Sequence, residues 1–245
     1  VRVSPVDNHP NQTVNALPLY LDMVPADKKD KVLASLLQSV VRLQDHHVDT
    51  GILGTRYILD VLTEAGQADI AWRMATQKSY PGWGYMIAEG ATTLWERWEK
   101  LTGHAMNSQN HIMLGSIDAW FYRVLAGLSP ALPGWTRVRV RPRPLGDLTF
   151  VEARLETVSG QVSSSWRRAD GTFALEIGIP AGATAEVHVP LPGPGARVLE
   201  SGKTVWRAGH EVAGVPGVKP AGDDDRSAVF EVGSGAYAFT AVTGG

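Results

Sequence analysis

The sequence predicts a multidomain α and β protein in which a helical half, residues 1–128, precedes an antiparallel β-sandwich, residues 129–245. Glycine and proline mark the change, because residues 1–128 hold only 9 of the 26 Gly and 5 of the 15 Pro. Turn-forming residues at the density of the second half favour short strands over helices. Apolar residues recur every three or four positions in the first half and at every second position in the second, which indicates the same division.

Apolar stripes in the first half predict about six helices joined by short loops, an arrangement typical of antiparallel helical hairpins. Pro18 weakens the earliest of these helices, since a proline inside a helix removes a hydrogen bond. Gly66 is a plausible helix stop. The stripes cover residues 32–40, 57–62, 70–75 and 113–125, with further candidates at 13–23 and 93–101.

Alternating apolar residues in the second half predict half-buried strands with one wet face. These strands are expected around residues 138–140, 173–179, 187–191 and 237–241. Asp170-Gly171 predicts a hairpin turn before the second of them.

Three further features of the second half carry expectations of their own. Arg137, Arg139 and Arg141 share one strand face and are expected to be solvated or to pair with acids on a neighbouring strand. Residues 128–135, rich in Pro and Gly, are interpreted as a linker. The three aspartates at 223–225 are interpreted as a solvated turn.

The composition is that of a folded protein with no electrostatic signature of nucleic-acid or membrane binding. The chain has 245 residues, 44% apolar and 20% charged, and a net charge of −2. It contains no cysteine, which excludes disulfides and thiolate chemistry, and no apolar run long enough to span a bilayer. The chain is expected to be soluble, either cytoplasmic or exported from a bacterium. It begins with neither Met nor a signal peptide, and we therefore expect that the N-terminus of the natural protein is missing. The oligomeric state is left open.

A short segment of the helical half contains the residue types of a sugar pocket. Residues 80–111 combine aromatic rings, a glycine-rich turn, two threonines and Glu96. Rings cover the face of a pyranose, and a carboxylate moves a proton. The bland alternatives are a helix-capping box formed by Thr93 and Glu96, a capping or core role for His111, and packing for Trp83.

No metal site and no cofactor are expected. The run His46-His47-x-Asp49 contains three potential ligands, but adjacent histidines usually point to different faces. Asp49 is instead interpreted as a structural loop or cap residue.

Several motifs together resemble one enzyme family. They are Asp-Thr-Gly-Ile-Leu-Gly-Thr at 49–55, Tyr-Pro-Gly-Trp-Gly-Tyr-Met at 80–86, Gly-Ala-Thr-Thr-Leu-Trp-Glu at 90–96, Asn-Ser-Gln-Asn-His at 107–111 and the Pro-Gly-Trp run that begins at 133. The chain resembles the bacterial α-L-rhamnosidases of glycoside hydrolase family 78. The resemblance implies the second half of an (α/α)6 barrel followed by the family's C-terminal β-domain.

The resemblance also implies a site and a reaction on rhamnose-containing glycosides. This family is understood to invert the anomeric centre, which needs an acid and a base on opposite sides of the sugar. Glu96 matches the base and His111 the sugar-contacting histidine; Asn110, Trp83 and Trp95 are the further expected substrate contacts. Arg97 is a candidate to orient a carboxylate.

The family's general acid lies upstream, and the chain has no counterpart of that motif. Two functions therefore stay open. The complete protein removes terminal non-reducing α-L-rhamnose by an inverting acid/base mechanism, or the chain is a non-catalytic fragment or carbohydrate-binding scaffold that lacks the acid.

Overall fold

A computed structural model describes residues 11–105, 108–207, 210–212, 215–224 and 226–244. The chain divides into two compact units, Val1–Trp120 and Phe121–Gly245. Helices occupy the first unit and two sheets the second, so the predicted fold class is confirmed. The finer domain ranges, 1–128 and 129–245, stay a prediction. None of the helices within the described ranges is long and apolar enough to cross a membrane.

In the part of the first unit that the structure describes there are six α-helices, supplemented by short 3-10 and π segments. A π segment, Gln38–Leu43, continues the second helix, and 3-10 turns occupy Ala26–Lys28 and Ile112–Gly115. The α-helices are α1 Gln12–Tyr20, α2 Lys29–Leu37, α3 Ile52–Glu64, α4 Ala68–Ala75, α5 Trp83–Ala88 and α6 Ser116–Trp120.

Helix α3 is the centre of the unit and contacts α1, α4 and α6. Ile58 and Leu62 on its apolar face are fully buried. Thr63, near its C-terminal end, accepts a hydrogen bond at 2.9 Å from the indole of Trp120 in α6. The chain turns just after α3 at Gly66, whose φ of 76° lies in the left-handed region that glycine favours.

The apolar stripes correctly predict α1 to α4, including α1 with Pro18 inside it. Asn11 caps α1 by accepting a hydrogen bond from the amide of Val14 at 3.1 Å. One prediction is wrong, because residues 93–101 form no helix. The stripe at 113–125 is helical as predicted, but it is divided among a 3-10 turn, α6 and a π segment, Phe121–Leu125. The sequence pattern also did not predict α5.

Among the described residues of the second unit, twelve strands form two sheets. One sheet has the order β1-β2-β6-β11-β10 and the other β3-β4-β5-β12-β7-β8-β9. The strands are β1 Leu128–Pro130, β2 Arg137–Val140, β3 Phe150–Thr157, β4 Gly160–Ala169, β5 Thr172–Ile179, β6 Thr184–Pro190, β7 Arg197–Glu200, β8 Lys203–Arg207, β9 His210–Glu211, β10 Val218–Asp224, β11 Ser227–Val232 and β12 Gly235–Val242.

The inner faces of the two sheets share one apolar core, as in a β-sandwich. Phe230 of β11 stacks on Phe239 of β12 with ring centroids 5.2 Å apart, and these strands belong to different sheets. The predicted hairpin is confirmed, because Asp170 and Gly171 both have positive φ, 46° and 71°, and join β4 to β5. Among the described strands β2 and β6 pair in parallel, since the chain between them runs through the other sheet.

The predicted linker is wrong, because Leu128–Pro130 pairs with β2 and Leu128 is buried in the core. The predicted solvated aspartate turn is also wrong: Asp223 and Asp224 belong to β10, and position 225 lies outside the described residues. The three arginines pair with acids as expected, but only Glu186 lies on β6, the strand next to β2, whereas Glu231 and Asp224 lie on β11 and β10. The contacts are Arg137 to Glu231 at 3.0 Å, Arg139 to Glu186 at 3.0 Å and Arg141 to Asp224 at 2.9 Å.

Candidate active site

An open cleft of about 330 Å³ lies in the helical unit and contains Glu96. Three segments that are distant in sequence form its walls, together with Leu114. The segments are residues 48–51, residues 80–81 and residues 96–99.

The wall at residues 48–51 is fixed by buried polar side chains. Gln12, fully buried in α1, donates to the carbonyl of His47 at 2.9 Å and accepts from the amide of Asp49 at 2.8 Å. The Thr50 and Thr55 hydroxyls are 2.8 Å apart and hydrogen-bonded. Because these groups satisfy one another away from water, the segment before α3 has a defined path along the cleft.

The Glu96 wall is an irregular loop that pairs with residues 108–111. The amide of Glu96 donates to the carbonyl of Ser108 at 3.0 Å, and the amide of His111 donates to the carbonyl of Leu94 at 2.8 Å. The Thr93 hydroxyl donates to the Gln109 carbonyl. The capping-box interpretation is therefore wrong, because these backbone and hydroxyl groups bond to another segment rather than to a helical turn.

Two tryptophans join this loop to the rest of the unit. The buried Trp98 donates its indole N–H to the carbonyl of Thr50 at 2.7 Å, which links the loop to the opposite wall. Its ring meets that of Trp83 edge to face, with centroids 5.0 Å apart. Trp83 in turn donates to the carbonyl of Leu114 at 2.8 Å. The pair fixes the position from which Glu96 enters the cleft.

Arg97 and Glu99 place a doubly hydrogen-bonded ion pair on the same wall. Arg97 donates from Nε and Nη2 to the two carboxylate oxygens of Glu99, at 3.3 and 3.1 Å. A hydrogen bond from its own backbone amide and those from Arg97 hold the pKa of Glu99 below its usual range. Burial and the nearby charge of Glu99 raise the pKa of the Tyr80 phenol, which lines the cleft beside it.

Of the predicted catalytic and substrate-binding residues, the structure brings the partly buried Glu96 into the lining of this cleft, next to Arg97, the residue expected to orient a carboxylate. Trp83 and Trp95 are 6% and 4% exposed and lie behind the wall. Asn110 is exposed, and its backbone N–H donates to the Ser108 hydroxyl at 3.1 Å. His111 accepts a hydrogen bond from the Met113 amide at Nδ1, 3.4 Å away, and so caps a 3-10 turn. The sugar-binding roles of these four residues stay predictions.

Sequence reasoning missed three polar residues of the cleft: Asp49 was assigned a purely structural role, and no role was predicted for Tyr80 or Glu99. Tyr80 opens a motif that the sequence singles out, and Glu99 follows Glu96 by three positions. Both signals were present, but their convergence depends on the folded loop. Asn107, the first residue of the Asn-Ser-Gln-Asn-His motif, lies outside the described residues.

The histidine pair near the cleft is engaged in protein contacts. The two ring nitrogens of His47 lie 2.9 Å from the Gln44 carbonyl and 2.8 Å from the Ser79 hydroxyl. Nowhere in the described ranges do three His, Cys, Asp or Glu side chains gather in a way that could hold a metal ion.

Two family models match this chain and define the class of protein to which it belongs. The bacterial alpha-L-rhamnosidase 6 hairpin glycosidase domain matches residues 7–125, and the bacterial alpha-L-rhamnosidase C-terminal domain matches residues 127–204. The helical unit is thus part of a six-hairpin glycosidase domain, and the β-sandwich follows it as in those proteins.

Curated and solved relatives agree on the family. An alpha-L-rhamnosidase of Streptomyces avermitilis is 37% identical over 235 residues, which cover 94% of this chain and 21% of that protein. The structure of an alpha-L-rhamnosidase from Dictyoglumus thermophilum is 45% identical with a TM-score of 0.88, covering 95% of this chain and 25% of the other. That of the Streptomyces avermitilis enzyme complexed with L-rhamnose is 34% identical with a TM-score of 0.83, covering 98% and 22%.

This chain belongs to the bacterial alpha-L-rhamnosidase family. It spans about a fifth to a quarter of the length of these relatives.

Proposed function

We propose that the protein to which this chain belongs hydrolyses terminal α-L-rhamnosides, with Glu96 as the base that activates water. The observation that supports it best is the position of Glu96. It occupies the glutamate of the Gly-Ala-Thr-Thr-Leu-Trp-Glu motif and lines a polar cleft on a loop fixed by Trp98 and by residues 108–111. A relative in the same family is described as complexed with L-rhamnose, which supports a rhamnoside as substrate.

The proposed mechanism is inversion with two carboxyl groups. One protonates the leaving oxygen, and the other takes a proton from a water on the opposite face of the sugar, with the pair about 6.5–9.5 Å apart to leave room for that water. This chain supplies the base and its support. The family resemblance implies that the acid comes from an upstream segment of a longer polypeptide.

The remaining predicted residues have two kinds of proposed role. His111 and Asn110 lie next to the Glu96 loop through the hydrogen bond from His111 to Leu94, and we assign them contacts to sugar hydroxyls. Trp83 and Trp95 are almost fully buried, which favours positioning of the wall over direct cover of a sugar ring.

The substitution Glu96→Gln tests this proposal in the longest natural polypeptide that contains the chain. A glutamine keeps the size of the side chain and cannot accept a proton. We expect the turnover of 4-nitrophenyl α-L-rhamnopyranoside to fall by about 10²- to 10⁴-fold, the usual contribution of a general base, with an unchanged melting temperature.

Glu89→Gln is the matched control, because Glu89 pairs with Lys100 at 2.9 Å and is not among the residues that line the cleft. Near-normal turnover in Glu96→Gln would contradict the assigned role. A parent polypeptide that binds L-rhamnose and shows no turnover at all would favour the non-catalytic, carbohydrate-binding alternative.

A further inference from the structure

The cleft holds a second glutamate whose geometry suits a different task from that of Glu96. We propose that Glu99, held by Arg97, is a substrate-binding residue that accepts a hydrogen bond from a hydroxyl group of the sugar. This inference rests on the proposed function, because it assigns a sugar ligand to the same cleft.

The hydrogen bonds from Arg97 leave the Glu99 carboxylate with free accepting capacity. An ionised carboxylate has about four lone-pair sites, two on each oxygen. Arg97 uses one site on each oxygen, at 3.3 and 3.1 Å, and the backbone amide of Glu99 uses a third, which leaves about one site for a ligand. The side chain remains 39% exposed and lines the cleft, so the remaining site is accessible to a ligand. Two parallel bonds from a guanidinium also fix the plane of the carboxylate, which gives the remaining site a defined direction.

The surroundings of Glu99 match a hydroxyl-rich ligand. The phenol of Tyr80 is neutral near pH 7, as tyrosine ordinarily is, so its O–H both donates and accepts hydrogen bonds. The ring of Tyr80, about half exposed, meets that of Tyr85 edge to face at 5.3 Å. A fixed carboxylate beside an aromatic ring and a phenol O–H provides the orienting polar groups and the apolar surface that small-ligand sites combine.

Glu99 is poorly suited to act as the base itself. A carboxylate whose pKa is lowered by hydrogen bonds takes up a proton less readily, and a general base works best with a pKa near the operating pH. We therefore assign proton transfer to Glu96 and sugar binding to Glu99.

The chain offers a closely matched control for this assignment. Glu89 and Glu99 both form an ion pair with a basic side chain, at 2.9 and 3.1 Å, and their side chains are 38% and 39% exposed. They differ in that only Glu99 lines the cleft. A general effect of removing one surface carboxylate is therefore the same in Glu89→Gln and Glu99→Gln, whereas an effect on sugar binding appears only in the second.

The experiment measures kcat, KM and the calorimetric affinity for L-rhamnose in the longest natural polypeptide containing the chain, with 4-nitrophenyl α-L-rhamnopyranoside as substrate. In Glu99→Gln we expect KM and the dissociation constant of L-rhamnose to rise about tenfold or more, since a hydrogen bond to a charged group is lost, with a smaller change in kcat. Arg97→Gln should also raise KM and the dissociation constant of L-rhamnose, because the Glu99 carboxylate is then no longer held in place. Glu89→Gln should leave both unchanged.

Several outcomes overturn the inference. Unchanged KM and affinity in Glu99→Gln contradict it, as does a loss confined to kcat. If Glu99→Gln fails to fold, Glu99→Asp retains the charge and withdraws the carboxylate by one methylene; it should still raise KM, and a normal KM in that variant overturns the inference.

The proposed function fails separately, through normal turnover in Glu96→Gln, and that result leaves the expected rise in KM for Glu99→Gln intact. A parent protein with neither turnover nor L-rhamnose affinity contradicts both proposals.

Discussion

Trp98 links two walls of the cleft. Its indole N–H bonds to the carbonyl of Thr50 across the cleft, and its ring contacts Trp83. Thr50 is itself 4% exposed, so its carbonyl has little access to replacement water. One side chain therefore joins the wall that carries Glu96 to the wall at residues 48–51.

The substitution Trp98→Phe should destabilise the helical unit and loosen the Glu96 loop. It removes the indole donor and leaves the buried Thr50 carbonyl with only the longer hydrogen bond from the Thr55 hydroxyl, at 3.4 Å. The weakened hydrogen bonding costs about 1–3 kcal/mol, and the smaller ring leaves a void. We expect the free energy of unfolding to fall by about that amount, measured by chemical denaturation followed by circular dichroism at 222 nm.

Trp72→Phe in α4 is the control, since Trp72 is only partly buried and does not line the cleft. If the free energy of unfolding falls equally in the two variants, the hydrogen bond from Trp98 to Thr50 does not stabilise the unit as predicted.

At the scale of elements, the loop around Glu96 shows what sequence can and cannot predict. The chemistry of Glu96 as a candidate was predictable from its motif. Its local structure was not, because Thr93-Leu94-Trp95-Glu96 has the pattern of a helix start while residues 108–111 supply the partners for the same amide and hydroxyl groups. A contact between segments more than ten positions apart leaves no periodic signal in the sequence.

Helices that pack one apolar face against a neighbour were predicted well, and α3 is the clearest case. The stripe at 113–125 is helical as predicted, but its backbone passes from 3-10 through α to π geometry, which the sequence did not predict. Spacing of three or four residues fits all three helix types, so periodicity alone does not distinguish them.

In the second unit, alternation identified several strands but not their partners. The parallel contact of β2 with β6 and the strand at Leu128–Pro130 depend on the order of strands in the sheet. The hairpin at Asp170-Gly171 was predictable because its two positive φ angles have a sequence signature.

At the scale of the whole molecule, charge pairs across one sheet of the β-sandwich make its stability depend on pH. A hydrogen bond from His188 and the contact with Arg139 hold the pKa of Glu186 below its usual 4.5. Burial raises the pKa of Asp224, but the Arg226 amide and the charge of Arg141 outweigh it, so that pKa lies below its usual 3.8. Both carboxylates therefore favour the folded state when ionised.

The direction in which stability changes with pH follows from the lowered pKa values of Glu186 and Asp224. A carboxyl group with a lower pKa in the folded state contributes stability above its unfolded pKa, and this contribution is lost as the pH falls through the folded pKa. We expect hydrogen exchange in β6 and β10 to accelerate, relative to the intrinsic rate at each pH, as the pH falls below about 4.5 and then 3.8.

Removing one arginine should weaken this dependence. Arg141→Gln should flatten the pH profile of β10, whereas Arg154→Gln should leave it unchanged, because Arg154 and its partner Glu152 are 68% and 56% exposed on the other sheet. A profile that is equally steep in Arg141→Gln would contradict the assigned source of the effect.

The stereochemistry of the reaction tests most directly the inverting mechanism to which the role of Glu96 belongs. If Glu96 activates water on the face opposite the leaving group, the first sugar released from 4-nitrophenyl α-L-rhamnopyranoside is the β anomer. Proton NMR of the reaction mixture, recorded during the first minutes of hydrolysis by the parent polypeptide, distinguishes the two anomers of the released rhamnose before they equilibrate. We predict that β-L-rhamnose appears first; initial release of α-L-rhamnose would contradict a water-activating base at Glu96.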